Sequence, residues 1–283
     1  MLSYQHEFHA GNAADTFKHT ALCLILQSLC AKDKPLTVID THAGSGVYSL
    51  DDERLVQTGE ARGGIEALFA LYSSDPASFP QGLKLYLEVQ RSYVENRLYA
   101  GSPEIELAFW RRGDTLFFLE KHPKALSSLK ETVGSRHAFI RASDSFGELA
   151  SLVPPLVRRG LVFIDPSYEE ADEWQKVAAA FEGVRRKWNT AVVAVWYPLL
   201  VRQEGKAACL VHSLESCCKT GRMPCEFLNS ELVTQQARSL DGTSHLLGSG
   251  LFVANPPWHM EQRLEGSRTF LSSFYNGTRV DSR

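Results

Sequence analysis

LTVIDTHAGSG, Leu36 to Gly46, decides the fold. A short apolar run, Leu36 to Ile39, ends on Asp40 and opens at once into Thr41-His42-Ala43-Gly44-Ser45-Gly46. A buried strand that stops on a carboxylate and breaks into a glycine-rich turn is the expected start of an α/β fold. Upstream, Asn12 follows Gly11 and precedes Phe17, Ala21, Leu22, Ile25 and Leu29 at helical spacing. This predicts a first helix capped by Asn12.

Downstream, four more apolar runs repeat the theme. Leu116 to Leu119 ends on Glu120, Ala138 to Ala142 leads to Asp144, Gly160 to Ile164 ends on Asp165, and Ala191 to Trp196 is the fifth strand. Helical stretches separate them, such as Trp174 to Trp188. Strands alternating with helices predict a largely parallel sheet, and near-continuous apolar strands predict cover on both its faces. Cys225 to Leu228 and Gly250 to Ala254 suit the last two strands, one of them antiparallel. One interval is too long for a simple crossover, because Asp40 and Glu120 lie 80 residues apart. The excess, Ser49 to Tyr99, carries helical periodicity. The expected organisation is a Rossmann-like core of residues 1–48 and 100–283 with a small helical insert, 49–99, after the first strand. The core should resume at a helix capped by Ser102, with Pro103 in its first position.

Composition excludes several classes. Of 283 residues 44% are hydrophobic and 22% charged, ordinary for a soluble globular protein. No apolar run reaches the ~20 residues of a membrane span, and MLSYQHEFHAGN lacks the pattern of a secretory signal. The six cysteines match no zinc spacing and read as reduced thiols in a cytoplasmic protein. His6, His9 and His19 have no companion ligands, so no metal is expected. A net charge of −3 means that any nucleic-acid contact must come from a local patch. Arg111-Arg112 and Arg185-Arg186-Lys187 read as solvated helix faces, and Arg158-Arg159 precede a strand at the end opposite the site.

Ligands of an open parallel sheet bind beyond the carboxyl ends of its strands. Asp40, Glu120, Asp144 and Asp165 should converge there. The glycine turn is neither G-x-G-x-x-G nor a P-loop, so it suits a ligand without phosphates, such as S-adenosylmethionine, with Gly44 allowing close backbone approach. Glu120 suits ribose hydroxyls and Asp144 an adenine amino group. Asp165-Pro166-Ser167-Tyr168 is the sharper signal. An exocyclic amine is a poor nucleophile because its lone pair is delocalised into the ring. The Asp165 carboxylate and the Pro166 carbonyl can each accept one N–H, and Tyr168 can stack on the base. A plain β-turn is the bland reading of the same residues. Asn255-Pro256-Pro257-Trp258 has a similar pattern but follows too many strands, so Trp258 is expected to pack.

MLSYQHEFHAGNAADTFKH, DTHAGSGVYSL, the TGE of Thr58 to Glu60, AGSP of Ala100 to Pro103, FIDPSYE, VWYP of Val195 to Pro198, and GSGLFVANPPW together resemble the RlmJ family. The resemblance runs in order along nearly the whole chain. It implies a Rossmann-like methyltransferase with a helical insert that methylates adenine N6 in 23S ribosomal RNA; the chain itself is expected to be a cytoplasmic monomer with no membrane or obligate protein partner. It implies S-adenosylmethionine contacts at His19, His42, Ser102, Glu120, Asp144 and Ser145, with Asp165 catalytic and bordering the cofactor. It brings Tyr4 to the substrate base and Lys18 to RNA phosphate or the cofactor carboxylate. The family pattern Asp-Pro-Pro-Tyr has serine here at Ser167, which predicts a looser loop. A DNA adenine-N6 methyltransferase and a non-catalytic nucleic-acid-binding protein in the use of external DNA are the competing expectations.

Overall fold

In the computed structural model, which describes residues 9–201, 204–220, 223–234 and 246–277, the apolar runs pair as one sheet. Tyr4 and His6 lie outside the described residues. Chain order gives β1 (Thr37–Asp40), β2 (Val47–Ser49), β3 (Leu98–Ala100), β4 (Thr115–Leu119), β5 (Phe139–Arg141), β6 (Gly160–Ile164), β7 (Val192–Leu200), β8 (Phe227–Val233) and β9 (Leu246–Ala254). Seven of them form the sheet β5-β4-β1-β6-β7-β9-β8, while β2 and β3 form a separate antiparallel ribbon. β5, β4, β1, β6 and β7 are parallel neighbours. β9 runs antiparallel to both β7 and β8. This is a Rossmann-like α/β fold, and the single reversed strand is the antiparallel one expected near the C-terminus.

The strands alternate faces with period two. Val38, Leu161 and Phe163 belong to one apolar cluster; Ile39, Val162 and Ile164 belong to the other. The first face is covered by α1 (Ala13–Cys30), and the segment between β1 and β4 adds α2 (Glu53–Thr58), α3 (Ala67–Ser74), α4 (Gln81–Glu95) and α5 (Ser102–Ala108). Then follow α6 (Pro123–Val133), α7 (Ser145–Leu152), α8 (Glu173–Lys187), α9 (Glu204–Thr220) and α10 (Met260–Tyr275). α7, α8 and α9 supply the second cluster through Leu149, Phe181 and Leu214. α1 packs against α4, α5 and α10, which is why it is buried nearly all round from Ala14 to Leu26. Asn12 caps it by accepting from the Asp15 amide, as its position predicts.

The segment 49–99 is helical, closed at its base by the β2–β3 ribbon. Leu68, Leu83 and Tyr86 share one cluster with Phe17, Leu24 and Leu271. These helices therefore complete the cover over α1 rather than build a separate core.

Three local expectations change. Ser102 is the first residue of α5 and Gly101 stands in the cap position; the Ser102 hydroxyl donates instead to Asp40. β7 continues past Trp196 to Leu200 and includes Pro198. Proline is tolerated there because β6 pairs only as far as Val195, leaving that side of the strand open. Trp258 does not pack: it is 83% exposed. β9 is reversed, so the Asn255 turn leaves the sheet at the edge where β7 begins, and Asn255 Nδ2 donates to the Asn189 and Ala191 carbonyls. The reversal also keeps this motif away from the strand ends that carry Asp40 and Asp165.

All six cysteines are free thiols, and no helix among the described residues is long and apolar enough to cross a membrane.

β1 and β6 approach so closely that a Cβ on Gly160 would fall 1.7 Å from the Thr37 carbonyl oxygen. The clash is with backbone, which cannot swing aside. Gly160→Ala is expected to cost about 1–3 kcal/mol, as overpacking does, read as a lower urea midpoint with an unchanged slope.

Candidate active site

The turn after β1 is stitched to both neighbouring strands. The Thr41 amide donates to the Phe163 carbonyl at 3.0 Å, and the Ala43 amide to Leu119 at 3.0 Å. Gly44 has φ +63°, and a Cβ there would lie 2.2 Å from the Tyr48 hydroxyl. Only glycine fits this corner. The Gly44 amide donates to Glu120 Oε2 at 2.8 Å, and His122 N to Glu120 Oε1 at 2.6 Å. Two backbone donors thus orient Glu120 and leave further lone pairs for a ligand. Burial, partly offset by those two amides, holds the Glu120 carboxyl above its ordinary range.

Asp40 is fully buried. It accepts from Ser102 Oγ at 2.6 Å and from the His42 amide at 3.1 Å. Burial outweighs these hydrogen bonds and pushes its carboxyl up to about 7. Of the four strand-end carboxylates it is therefore an internal brace, tying α5 to the turn. Asp144 is exposed, caps α7 by accepting from Gly147 N at 3.2 Å, and has Lys121 Nζ at 3.8 Å. Ser145 opens α7 and is buried. The His42 ring lies against Phe146, 5.4 Å between centroids, and burial pushes its imidazole down to about 4, so it is neutral at physiological pH. His19 is buried in α1, with Nδ1 2.6 Å from the Tyr99 hydroxyl.

Beyond β6, Asp165 meets Lys18. The Lys18 ammonium sits 2.8 Å from Asp165 Oδ2 and 2.7 Å from Asp15 Oδ1, with all three side chains nearly excluded from water. Burial alone lowers an ammonium's pKa; the two carboxylates reverse this and hold Lys18 well above the lysine range. Lys18, expected at RNA phosphate or the cofactor carboxylate, is here enclosed and paired with Asp15 and Asp165. Its ammonium also lies 5.2 Å from the centre of the Trp196 ring.

Tyr168 is 5% exposed and has φ +57°, a left-handed conformation rare for a bulky residue. Such a backbone persists only where the surroundings impose it. Here the hydroxyl donates to the Trp196 carbonyl at 2.7 Å and the ring packs 4.3 Å from Trp174. Tyr168 is an anchor for the loop rather than a free stacking platform, and it restrains the segment that Ser167 was expected to loosen.

The family model described as ribosomal RNA large subunit methyltransferase D, RlmJ, matches residues 33–278. The chain belongs to this family. The ribosomal RNA large subunit methyltransferase J of Escherichia coli K12 is 36% identical to it over 277 residues, covering 96% of this chain and 94% of the relative. The protein of the same name from Haemophilus influenzae is 34% identical, covering 96% and 93%. Among solved structures, protein LPL1258 of Legionella pneumophila superposes with a TM-score of 0.81 at 28% identity, covering 95% of this chain and 94% of that one.

For a member of the RlmJ family, the residues expected from sequence fall into two groups. Gly44, Glu120, Asp144, Ser145 and Asp165 follow strand ends along one edge of the sheet, joined by His42 from the turn. His19, Ser102 and Lys18 lie behind that edge in α1 and α5, each already engaged by Tyr99, Asp40 or the two aspartates. Sequence reasoning missed Asp15, Glu60 and Trp196. Asp15 accepts from Gly11 N as well as pairing with Lys18. Glu60 binds His9 Nδ1 and Asn12 Nδ2, both at 2.9 Å, and so ties the chain before α1 to the helical segment. The Thr58–Glu60 and VWYP motifs were the available signals for Glu60 and Trp196; Asp15, an acid in a first helical turn, gave none beyond ordinary capping.

Two measurements test this geometry. Lys18→Met leaves Asp15 and Asp165 buried without their counter-charge and is expected to cost about 3–5 kcal/mol in urea unfolding. Asp40 binds a proton more tightly folded than unfolded, so ionising it opposes folding as pH rises from about 4 to about 7. The melting temperature of Asp40→Asn should therefore improve relative to wild type across that interval, and a constant difference would contradict the assignment.

Proposed function

We propose that this chain transfers a methyl group from S-adenosylmethionine to N6 of an adenine in 23S ribosomal RNA. Asp165 carries the reading. Lys18 takes its Oδ2, and its Oδ1 has no partner among the described residues. That leaves one fixed acceptor at the carboxyl end of a central strand, in the loop shared with Pro166.

The residues present fit the cofactor. Gly44 supplies a corner without a side chain, Glu120 is pre-oriented toward vicinal hydroxyls, and Asp144 and Ser145 stand where an adenine edge would lie. The Ser143 hydroxyl beside them is buried with no partner among the described residues, as a group awaiting a ligand would be. His42 and Phe146 offer a neutral aromatic wall. His19 and Ser102 act from behind through Tyr99 and Asp40. When bound, S-adenosylmethionine supplies an electrophilic methyl group.

The chain's own work is orientation. Asp165 Oδ1 and the Pro166 carbonyl accept the two N–H hydrogens of the adenine amine, which turns its lone pair away from the ring. Trp196, half-buried beside Lys18 and Tyr168, takes the stacking role that Tyr168 is packed too deeply to fill. Tyr4 joins the substrate base in this reading, as the resemblance implies. Holding amine and methyl group in line provides most of the rate.

Asp165→Asn is expected to lower methylation of unmodified 23S ribosomal RNA by about a thousandfold, as loss of a preorganised polar group does. S-adenosylmethionine affinity, measured by calorimetry, should change little. Trp196→Ala should raise KM for RNA more than Trp196→Phe. Full activity of Asp165→Asn would reject the assignment, and equal methylation of a matched DNA oligonucleotide would reject the choice of RNA.

A further inference from the structure

The edge of the sheet opposite Asp165 carries the GSGLFVANPPW motif and a concentration of positive charge, and neither is used by the site above. We propose that this amino edge is a second RNA-contact surface, on which Trp258 stacks an unpaired base while Lys32, Lys34, Arg112 and Arg158 hold neighbouring phosphates. The partner's identity as RNA rests on the function proposed above.

The topology brings these residues together. β4, β1, β6 and β7 are consecutive neighbours, and Thr37 is in register with both Thr115 and Gly160. Arg112 lies just before β4, Lys32 and Lys34 just before β1, and Arg158 just before β6. Across those strands the row spans roughly 10–15 Å at about 4.8 Å per strand. Its backbone is braced from within. Arg111 donates to the Lys32 and Lys34 carbonyls at 2.8 and 3.0 Å, and Arg159 donates to Lys34 at 3.0 Å and to the Leu29 carbonyl.

Trp258 joins the same edge. Asn255 is bonded to the α8–β7 connection at Asn189 and Ala191, and in that connection Thr190 Oγ1 donates to the Arg158 carbonyl at 3.2 Å. On its other side, Arg263 of α10 donates to Ser28 Oγ at 3.1 Å, near the end of α1 that leads into Lys32.

The chemistry fits a nucleic-acid strand. Lys32, Lys34, Arg112 and Arg158 are exposed, and their side chains have no hydrogen bond or ion pair among the described residues. Residues 32–34, 111–114 and 158–159 hold six basic side chains against two acids, Asp33 and Asp114, the second paired with Arg111 at 3.1 Å, in a chain of net charge −3. Trp258 projects at 83% exposure from a turn stiffened by Pro256 and Pro257. An exposed indole on the same sheet edge as exposed cations suits single-stranded bases and their phosphates. β6 separates the two edges by about 17 Å, at about 3.3 Å per residue. The second surface would thus engage RNA beyond the nucleotide at Asp165, and only a substrate long enough to reach it.

The test uses the full chain, unmodified 23S ribosomal RNA, and a short hairpin around the methylated adenine once mass mapping has located it. The variants are Trp258→Ala and the quadruple Lys32→Ala, Lys34→Ala, Arg112→Ala, Arg158→Ala, all at exposed side chains. For 23S RNA, Trp258→Ala should weaken binding about tenfold, the worth of one stacked base. The quadruple variant should flatten the slope of log affinity against log salt by about 3, at ~0.7–0.9 per lost phosphate contact. Hairpin affinity and kcat should stay at wild-type values. Unchanged affinity and salt slope for 23S RNA, or an equal loss on hairpin and 23S RNA, would overturn the proposal. If wild type methylates no RNA, the function proposed above fails, while the binding data on 23S RNA still decide the second surface. Binding of a protein from the ribosomal particle at this edge, with RNA affinity untouched by the variants, would also overturn it.

Discussion

The Lys18 ammonium, enclosed between Asp15 and Asp165, is the interaction on which the rest of the structure depends. Three charges taken out of water are tolerable only when each stands at hydrogen-bonding distance from its partner. That requirement sets α1 against the end of β6. Asp15 also takes the Gly11 amide, and Asn12 reaches Glu60, so the chain before α1, the helical segment 49–99 and the loop after β6 share one frame. A shift of α1 against the loop after β6 would leave a buried charge unpaired. The frame holds one oxygen of Asp165, while the other has no partner among the described residues.

A parallel sheet sorts chemistry by edge, because every strand presents its carboxyl end on the same side. Here the acids Asp40, Glu120 and Asp165 end or follow strands at one edge, and basic residues precede strands at the other. The division is also a division of labour among the acids. Asp40 braces, Glu120 is oriented by two amides with lone pairs to spare, Asp144 caps a helix while remaining exposed, and Asp165 is paired on one side only. Four residues alike in sequence position thus differ in what they offer a ligand. The difference comes from how many donors, backbone amides or side chains, the surrounding structure spends on each.

Much of this was legible in the chain itself. Period-two alternation could not be seen in strands apolar on both faces, yet their length, their terminal acids and the helices between them were enough to place β1, β4, β5, β6 and β7. Asn12 was readable as a cap because capping is local. Trp258 was misread because β9 runs antiparallel, and direction is a matter of pairing rather than of residues. The packing of Tyr168 onto Trp174 was not legible because it follows from a left-handed backbone, and the pairing of Lys18 was not because Asp165 is distant in the chain. Ser102 was read as a cap, one position late, while its hydroxyl goes to an acid 62 residues earlier.

The sequence by itself determined what local physics can determine: where strands and helices begin, which strand ends carry a carboxylate, where glycine is needed, and, through motifs in order along the chain, the family. Only the tertiary structure decided which polar groups are already satisfied. It enclosed Lys18, neutralised His42 by burial, spent Asp40 on Ser102 and the His42 amide, and left Trp258 exposed at the far edge. Satisfaction of these buried groups depends also on partners that chain folding brings from tens of residues away, as Ser102 to Asp40 and Asp165 to Lys18, and no local window of sequence contains both members of such a pair.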